Sequence, residues 1–206
     1  MRKIYLAIVF ISGMLLCGCY SKFVSFKTFT DPSIQTSSIK TVAIFQMRNT
    51  AFSPGETMEL DRTVTQDFIS KNSSVKLIGT SESNELLNKE NLASEFSQFL
   101  QDFEHSGIPN TVFLNKLKSK FDIDAIFQGR LSEVKCHDKN NEGKAQTSFT
   151  IRYTLLSTKD GTILWEGTSN VGIIYGKTKG SHAPPFNDVA DLAKDKITSS
   201  IPYVGK

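Results

Sequence analysis

The first residues of the chain predict an export signal and not part of a protein core. They therefore limit the part of the chain that can form the folded domain. Arg2 and Lys3 precede a thirteen-residue apolar stretch, residues 4–16. A helix of that length spans about 20 Å, which is short of the ~30 Å hydrocarbon core of a bilayer. The pattern is typical of a signal peptide that is removed after export. We therefore expect the folded protein to begin beyond this segment.

The apolar stretch ends in a cysteine motif, Leu16-Cys17-Gly18-Cys19. It resembles the bacterial lipobox, in which the cysteine that follows a small residue receives acyl chains, palmitate among them, and becomes the new N-terminus. Cys19 is the predicted lipidation site and residues 1–18 are the predicted signal peptide; a plain signal peptide is the alternative. Each buried methylene of an acyl chain contributes about 0.8 kcal/mol, so a lipidated chain would stay on the bilayer. Tyr20 after the cysteine, in place of an Asp, favours the outer membrane, with the domain facing the periplasm.

Cysteine content and charge argue against a disulfide-stabilised protein and against a nucleic-acid-binding protein. Cleavage would remove Cys17 and lipidation would use Cys19, which leaves Cys136 and no internal disulfide. The 24 basic and 21 acidic residues give a net charge of +3. Without Arg2 and Lys3 there are 22 basic residues, and the net charge falls to +1. This charge is too small to indicate a nucleic-acid partner.

Beyond the signal peptide we predict two segments, a lipidated anchor and tether arm over residues 19–38 and a single α/β domain over residues 39–206. The arm is rich in Ser and Thr, yet Phe23, Phe26 and Phe29 are too apolar for a purely solvated linker. Either the arm packs on the domain or near the lipid surface, or it docks a partner. In the second case the three Phe residues are the predicted partner-binding residues.

The hydrophobic periodicity predicts an α+β fold. Strands are predicted at residues 41–45, 74–78, 124–136, 149–155 and 162–175. Helices are predicted around residues 60–68, 81–107, 113–121 and 189–197, with Gly107 ending the second, Asn110 capping the third and Asn187 capping the last. A turn at Lys159-Asp160-Gly161 joins two of the strands. Together they predict an α/β sandwich, a mixed and mainly antiparallel sheet covered by helices.

Three stretches of the domain resemble a group of bacterial envelope proteins that comprises CsgG, LpoB and the N-terminal domain of TolB. These stretches are VAIF at 42–45, FDIDAIFQGR at 121–130 and STKDGTILW at 157–165. The resemblance covers about residues 39–201 and implies the TolB N-terminal or LpoB fold. It implies a non-catalytic interaction or assembly module of the cell envelope or of peptidoglycan synthesis. The alternative it implies is an accessory or oligomeric subunit of a secretion or export complex similar to the curli channel.

The residues that could form a catalytic, metal or nucleotide site in this chain do not have the spacing that such sites need. Only three residues separate Gly172 from Gly176, where a phosphate loop has four, so we expect no nucleotide. Cys136-His137-Asp138 are consecutive strand residues that point to opposite faces, so we expect no metal site there. The carboxylates of Asp122 and Asp124 are expected to cap a helix or to face water. We therefore predict that the protein is not an enzyme and binds no cofactor. The predicted partners are the bilayer and an envelope protein. The sequence is compatible with an oligomer as well as a monomer.

Overall fold

The five predicted strands and one further strand form a six-stranded sheet in the computed structural model, which describes residues 20–176 and 181–204. The strands are β1 (Tyr20–Thr30), β2 (Thr41–Arg48), β3 (Lys76–Ile78), β4 (Ala125–His137), β5 (Ala145–Ser157) and β6 (Ile163–Tyr175). The helices are α1 (Pro54–Lys71), α2 (Thr80–Lys89), α3 (Ala93–Ser106), α4 (Thr111–Phe121) and α5 (Phe186–Ser200), with a short 3-10 helix at Pro32–Gln35. The predicted signal peptide and Cys19 lie outside the described residues.

The order of the strands in the sheet is β1-β6-β5-β4-β2-β3. β1, β6, β5 and β4 pair antiparallel to one another, whereas β2 is parallel to both β4 and β3. Short turns join β4 to β5 and β5 to β6, as antiparallel neighbours allow, while helices carry the chain between the parallel strands. This topology confirms the predicted α+β class with a mixed, mainly antiparallel sheet covered by helices.

Each face of the sheet carries a hydrophobic core. α1 and α5 cover one face, where Phe68, Val189 and Trp165 are fully buried in the first core. α2, α3 and α4 cover part of the other face through the second core, which includes Phe99 and Leu117. The buried residues of the second core come from these helices, from β2, β3, β4 and the end of β5, and from Leu92 and Ile123. The helices on this side therefore stop short of the β1 edge.

The segment predicted as a tether is instead the edge strand β1. Its eleven residues pair with β6 along the whole strand, from Tyr20 opposite Tyr175 to Thr30 opposite Trp165. The segment forms a strand because β6 would otherwise present an unpaired edge. Pairing with that edge satisfies backbone N–H and C=O groups that a solvated linker would leave to water. The sheet thus includes residue 20, and the predicted domain boundary at residue 39 is wrong.

Two helix boundaries also differ from the predictions, while three local signals are confirmed. The helix predicted over 81–107 is two helices, because Asn91 adopts a left-handed conformation (φ 57°) between α2 and α3. α5 begins at Phe186 after Pro185, and not after a cap at Asn187. Gly107 ends α3 with φ 68°, Asn110 caps α4 through its side chain, and Gly161 has φ 75° in the turn before β6.

Candidate interaction surface

β1 forms one border of the sheet. It has β6 on one side, and no other strand of the described ranges lies on its second side. An edge strand presents a row of backbone N–H and C=O groups that an extended segment of another chain can pair with. Ten of the eleven residues of β1 are exposed and the other is half-buried. This border is therefore accessible along its whole length.

The three Phe residues predicted to bind a partner are divided between the two faces of β1. Phe26 lies on the face that α1 and α5 cover and packs against the first core. Phe23 and Phe29 lie on the opposite face and are 38% and 51% exposed. They are six residues apart, which is about 20 Å along a strand. The structure thus brings two of the three predicted residues to one surface and assigns the third to the core.

Gly172 fixes the position of the Phe23 ring. The two residues are directly opposite each other in β6 and β1. A Cβ atom at position 172 would overlap the Cζ and Cε1 atoms of the Phe23 ring. The ring therefore lies across β6 in space that only glycine leaves open, and its other side faces solvent. We call the outer border of β1 together with Phe23 and Phe29 the edge surface.

Polar side chains continue this sheet face beyond the edge surface. Asn170 on β6 donates a hydrogen bond from Nδ2 to Oγ1 of Thr150 on β5 (3.1 Å). Thr150 in turn donates to the carboxylate of Glu133 (2.7 Å). These bonds join polar side chains of β6, β5 and β4 on the sheet face that carries the two rings. Phe23 and Phe29 add two exposed aromatic rings to this face, beside a strand border that an extended segment can pair with.

Asp138, one of the three residues considered for a metal site, ties a loop to the end of β4. Asp138 accepts a hydrogen bond from the backbone N–H of Ala183 (2.7 Å), and its other oxygen lies 3.4 Å from Nδ1 of His182. The Ala183 N–H and then the His182 ring hold the pKa of Asp138 below its ordinary value. Cys136 is an exposed free thiol. Within residues 20–176 and 181–204 no three His, Cys, Asp or Glu side chains group as metal ligands would.

The two carboxylates at the start of β4 have different environments. Asp122 ends α4 in a left-handed conformation, and its side chain is 85% exposed. Asp124 is only 17% exposed and accepts hydrogen bonds from the backbone N–H groups of Lys40 (2.8 Å) and Thr41 (3.0 Å). Asp124 therefore has a structural role, whereas Asp122 faces water as the sequence predicts.

The sequence pattern does not predict one group of side chains on the same sheet face. Arg48, Arg130 and Arg152 lie in register on β2, β4 and β5, beside a cavity under α3. Alternation along β5 marks the position of Arg152 as polar. The alignment of the three arginines depends on pairing between distant segments, which no local pattern reveals.

None of the helices in the described ranges is both long and apolar enough to cross a membrane.

No protein-family model and no curated protein matches the chain. Among solved structures, the chain is similar to the PelC dodecamer from Paraburkholderia phytofirmans, with 9% identity over 86% of this chain and 94% of that chain and a TM-score of 0.43. It is also similar to the lipoprotein GNA1162 from Neisseria meningitidis, with 15% identity, 78% and 99% coverage and a TM-score of 0.46. A third similar structure is the hypothetical protein CT253 from Chlamydia trachomatis, with 12% identity, 79% and 93% coverage and a TM-score of 0.41.

At these identities and TM-scores the three similarities say nothing about activity. None of these three structures is CsgG, LpoB or TolB, so that more specific resemblance stays a prediction.

Proposed function

We propose that this protein is a lipid-anchored, non-catalytic interaction module of a bacterial outer membrane that faces the periplasm and binds a second envelope protein through the edge surface. The observation that carries the proposal is the lipobox-like sequence that ends at Cys19, one residue before an exposed edge strand begins at Tyr20. Association with the cell wall or its synthesis, as the resemblance to LpoB implies, is the role we favour within the envelope.

The start of β1 suits a position at the bilayer surface. A lipid on Cys19 would hold Tyr20 next to the headgroups, because the strand leaves no tether between them. The rings of Tyr20 and Tyr175 lie 5.8 Å apart, and Nζ of Lys22 is 5.2 Å from the Tyr20 ring centroid. Tyrosine and lysine are favoured where protein meets lipid headgroups. These contacts support an anchored protein that rests on the membrane by this end of the sheet.

Strand addition is the mode of binding that β1 supports best. An extended segment of the partner would pair with the outer backbone groups of β1, which gives affinity without sequence specificity. Phe23 and Phe29 would contact side chains of that segment and supply specificity. A second copy of this chain at the same border would instead indicate the oligomeric export subunit that the resemblance to the curli channel implies.

Anchoring is tested by the substitution Cys19→Ala in bacterial cells. We expect the variant to lose incorporation of radiolabelled palmitate and to leave the membrane fraction, because one cysteine carries the acyl chains. Cys136→Ala is the matched control, since it removes the exposed thiol of the domain, and it should be labelled like the parent. Equal labelling and equal membrane association of the Cys19→Ala variant would refute the anchor.

The edge surface is tested by a photo-crosslinking amino acid placed at position 29 of the full chain in cells of the source bacterium. We expect one envelope protein to be captured from this position and not from position 58, where Met58 on α1 is 63% exposed. A product of twice the mass of the chain would favour the oligomeric alternative. Equal capture at both positions would contradict the edge surface as a specific site.

A further inference from the structure

Three arginines form a row across the sheet. Arg48 at the end of β2 is directly opposite Arg130 on β4, and Arg130 is directly opposite Arg152 on β5. Arg130 and Arg152 are an antiparallel pair, in which Cβ atoms lie about 5 Å apart on one face and like charges are destabilising. Arg48 follows a register shift in the parallel pair of β2 with β4 and lines the same cavity. A row of three cations therefore costs free energy unless anions surround it.

Two glutamates neutralise this row in part. Oε1 of Glu104, on α3, lies 2.9 Å from Nη1 of Arg130, and its other oxygen lies 3.7 Å from Nη1 of Arg48. Oε1 of Glu166, on β6, lies 3.8 Å from Nε of Arg152. Only the first of these contacts has the length of a hydrogen bond. Three positive and two negative charges leave the group with one excess positive charge.

Each arginine also keeps a buried nitrogen with no hydrogen-bond partner among the described residues. These atoms are Nη1 of Arg48, Nε of Arg130 and Nε of Arg152. Buried donors are paired in nearly all native proteins, because an unpaired one costs about 1–3 kcal/mol. Three such donors in neighbouring side chains point to an acceptor that residues 20–176 and 181–204 do not supply.

A cavity of about 110 Å³ adjoins the arginines. All three guanidinium-bearing residues and both glutamates line it, and apolar side chains of α3 and of the start of β6 form its wall, including Phe103 and Ile163. The volume lies well below the about 300 Å³ at which sites for drug-sized molecules begin, so it suits a single small group. The cavity thus combines an excess positive charge with an apolar wall.

We propose that this arginine cleft binds one singly charged oxyanion, a carboxylate or a phosphodiester group, whose attached apolar atoms lie against Phe103 and Ile163. One negative charge balances the cluster, and two oxygen atoms match the N–H donors that guanidinium groups present. No residue of β1 lines the site, although Glu166 of β6 is directly opposite Phe29 of β1. Binding of a small anion requires neither the lipid anchor nor a protein partner, so this inference stands or falls separately from the proposed function.

The test measures small anions binding to the purified full chain in a non-ionic detergent, by calorimetry and by the arginine Nε–H signals in NMR spectra at constant ionic strength. The probes are acetate, benzoate and dimethyl phosphate, with benzyl alcohol as the uncharged control. We expect a saturable shift of the Arg130 and Arg152 signals with benzoate or dimethyl phosphate, and a weaker one with acetate. The tighter of benzoate and dimethyl phosphate identifies the carboxylate or the phosphodiester as the natural group.

Substitutions separate binding at the cleft from binding elsewhere. Arg152→Gln should weaken binding by about tenfold or more, because a charged hydrogen-bond donor is lost. Glu104→Gln should strengthen binding, because it raises the excess charge of the cleft. Arg62→Gln, on the exposed side of α1, should leave it unchanged.

Absence of a saturable shift with both anions would overturn the proposal. So would equal affinity in the Arg152→Gln variant, or an unchanged or weaker affinity in the Glu104→Gln variant. The affinity of the Glu104→Gln variant tests the proposal even if the Arg152→Gln variant fails to fold.

Discussion

At the scale of single residues, Asp124 joins parts of the chain that are far apart in sequence. Its Oδ2 accepts hydrogen bonds from the backbone N–H groups of Lys40 and Thr41, at the start of β2. Its Oδ1 accepts one from Nζ of Lys118 on α4 (2.6 Å). Burial raises the pKa of Asp124, but Lys118 and the two N–H donors outweigh burial and hold the pKa below 3.8.

A lowered pKa predicts how Asp124 affects stability at different pH. Since the folded protein binds the proton more weakly than the unfolded chain, the carboxylate stabilises the fold above about pH 4, and this stabilisation is lost as the pH falls through the lowered pKa. We expect Asp124→Asn to cost about 1–3 kcal/mol at pH 7 and progressively less below pH 4. Urea unfolding followed by Trp165 fluorescence measures both values.

Asp122→Asn is the control for this prediction, because its exposed ion pair with Lys118 contributes little, about 0.5 kcal/mol or less. A destabilisation by Asp124→Asn that stays constant from pH 7 to pH 3 would show that the charge of Asp124 is not the cause.

At the scale of elements, the two faces of β1 have different roles, because one packs against a core and the other is exposed. Phe26 packs against the first core, whereas Phe29 is half exposed on the opposite face. A combined replacement of Phe23, Phe26 and Phe29 would therefore mix a loss of stability with a loss of binding. The separate roles follow from the strand itself, because residues three apart in a strand point to opposite faces.

Single substitutions in β1 should separate these roles. Phe26→Ser should lower the free energy of unfolding by about 1–3 kcal/mol, since it removes apolar area from the first core. Phe29→Ser should change it by about 0.5 kcal/mol or less, as expected for an exposed position. Denaturant unfolding of both variants checks this. Equal losses of stability in the two variants would contradict the orientation of β1.

At the scale of the whole molecule, the two cores share the same strands. In β2, Ile44 belongs to the first core and its neighbour Phe45 to the second; in β4, Phe127 and Ile126 are divided in the same way. Neither core can lose these strands without exposing the other. We therefore expect the domain to unfold in a single cooperative transition.

This cooperativity is testable because the single tryptophan, Trp165, reports on the first core alone. Leu117→Ala on α4 creates a cavity in the second core and should cost about 2–5 kcal/mol. Fluorescence of Trp165 and far-UV circular dichroism should show the same shifted transition. Val112→Ala, exposed on the same helix, should shift neither signal. A Trp165 transition that stays at the parent position would mean that the cores unfold independently.

The local periodicity of the sequence was enough to predict the α+β class, most strands and helices, and the caps at Gly107 and Asn110. These features depend on residues within a few positions of one another, so a pattern records them directly. The break at Asn91 was missed because the apolar stripe of the predicted helix continues across it. The candidate site was predicted in part, since the apolar character of the Phe residues was visible but the face each ring occupies was not.

The sequence by itself determined the α+β class, most of the helices and strands, and which side chains of the domain are apolar, and it predicts Cys19 as the site of a lipid. Only the tertiary structure decided that residues 20–30 complete the sheet, that Phe26 belongs to the core, and that Arg48, Arg130 and Arg152 stand in one row. The physical reason is that strand pairing and register depend on the free energy of contacts between segments distant in sequence, to which a local pattern is blind.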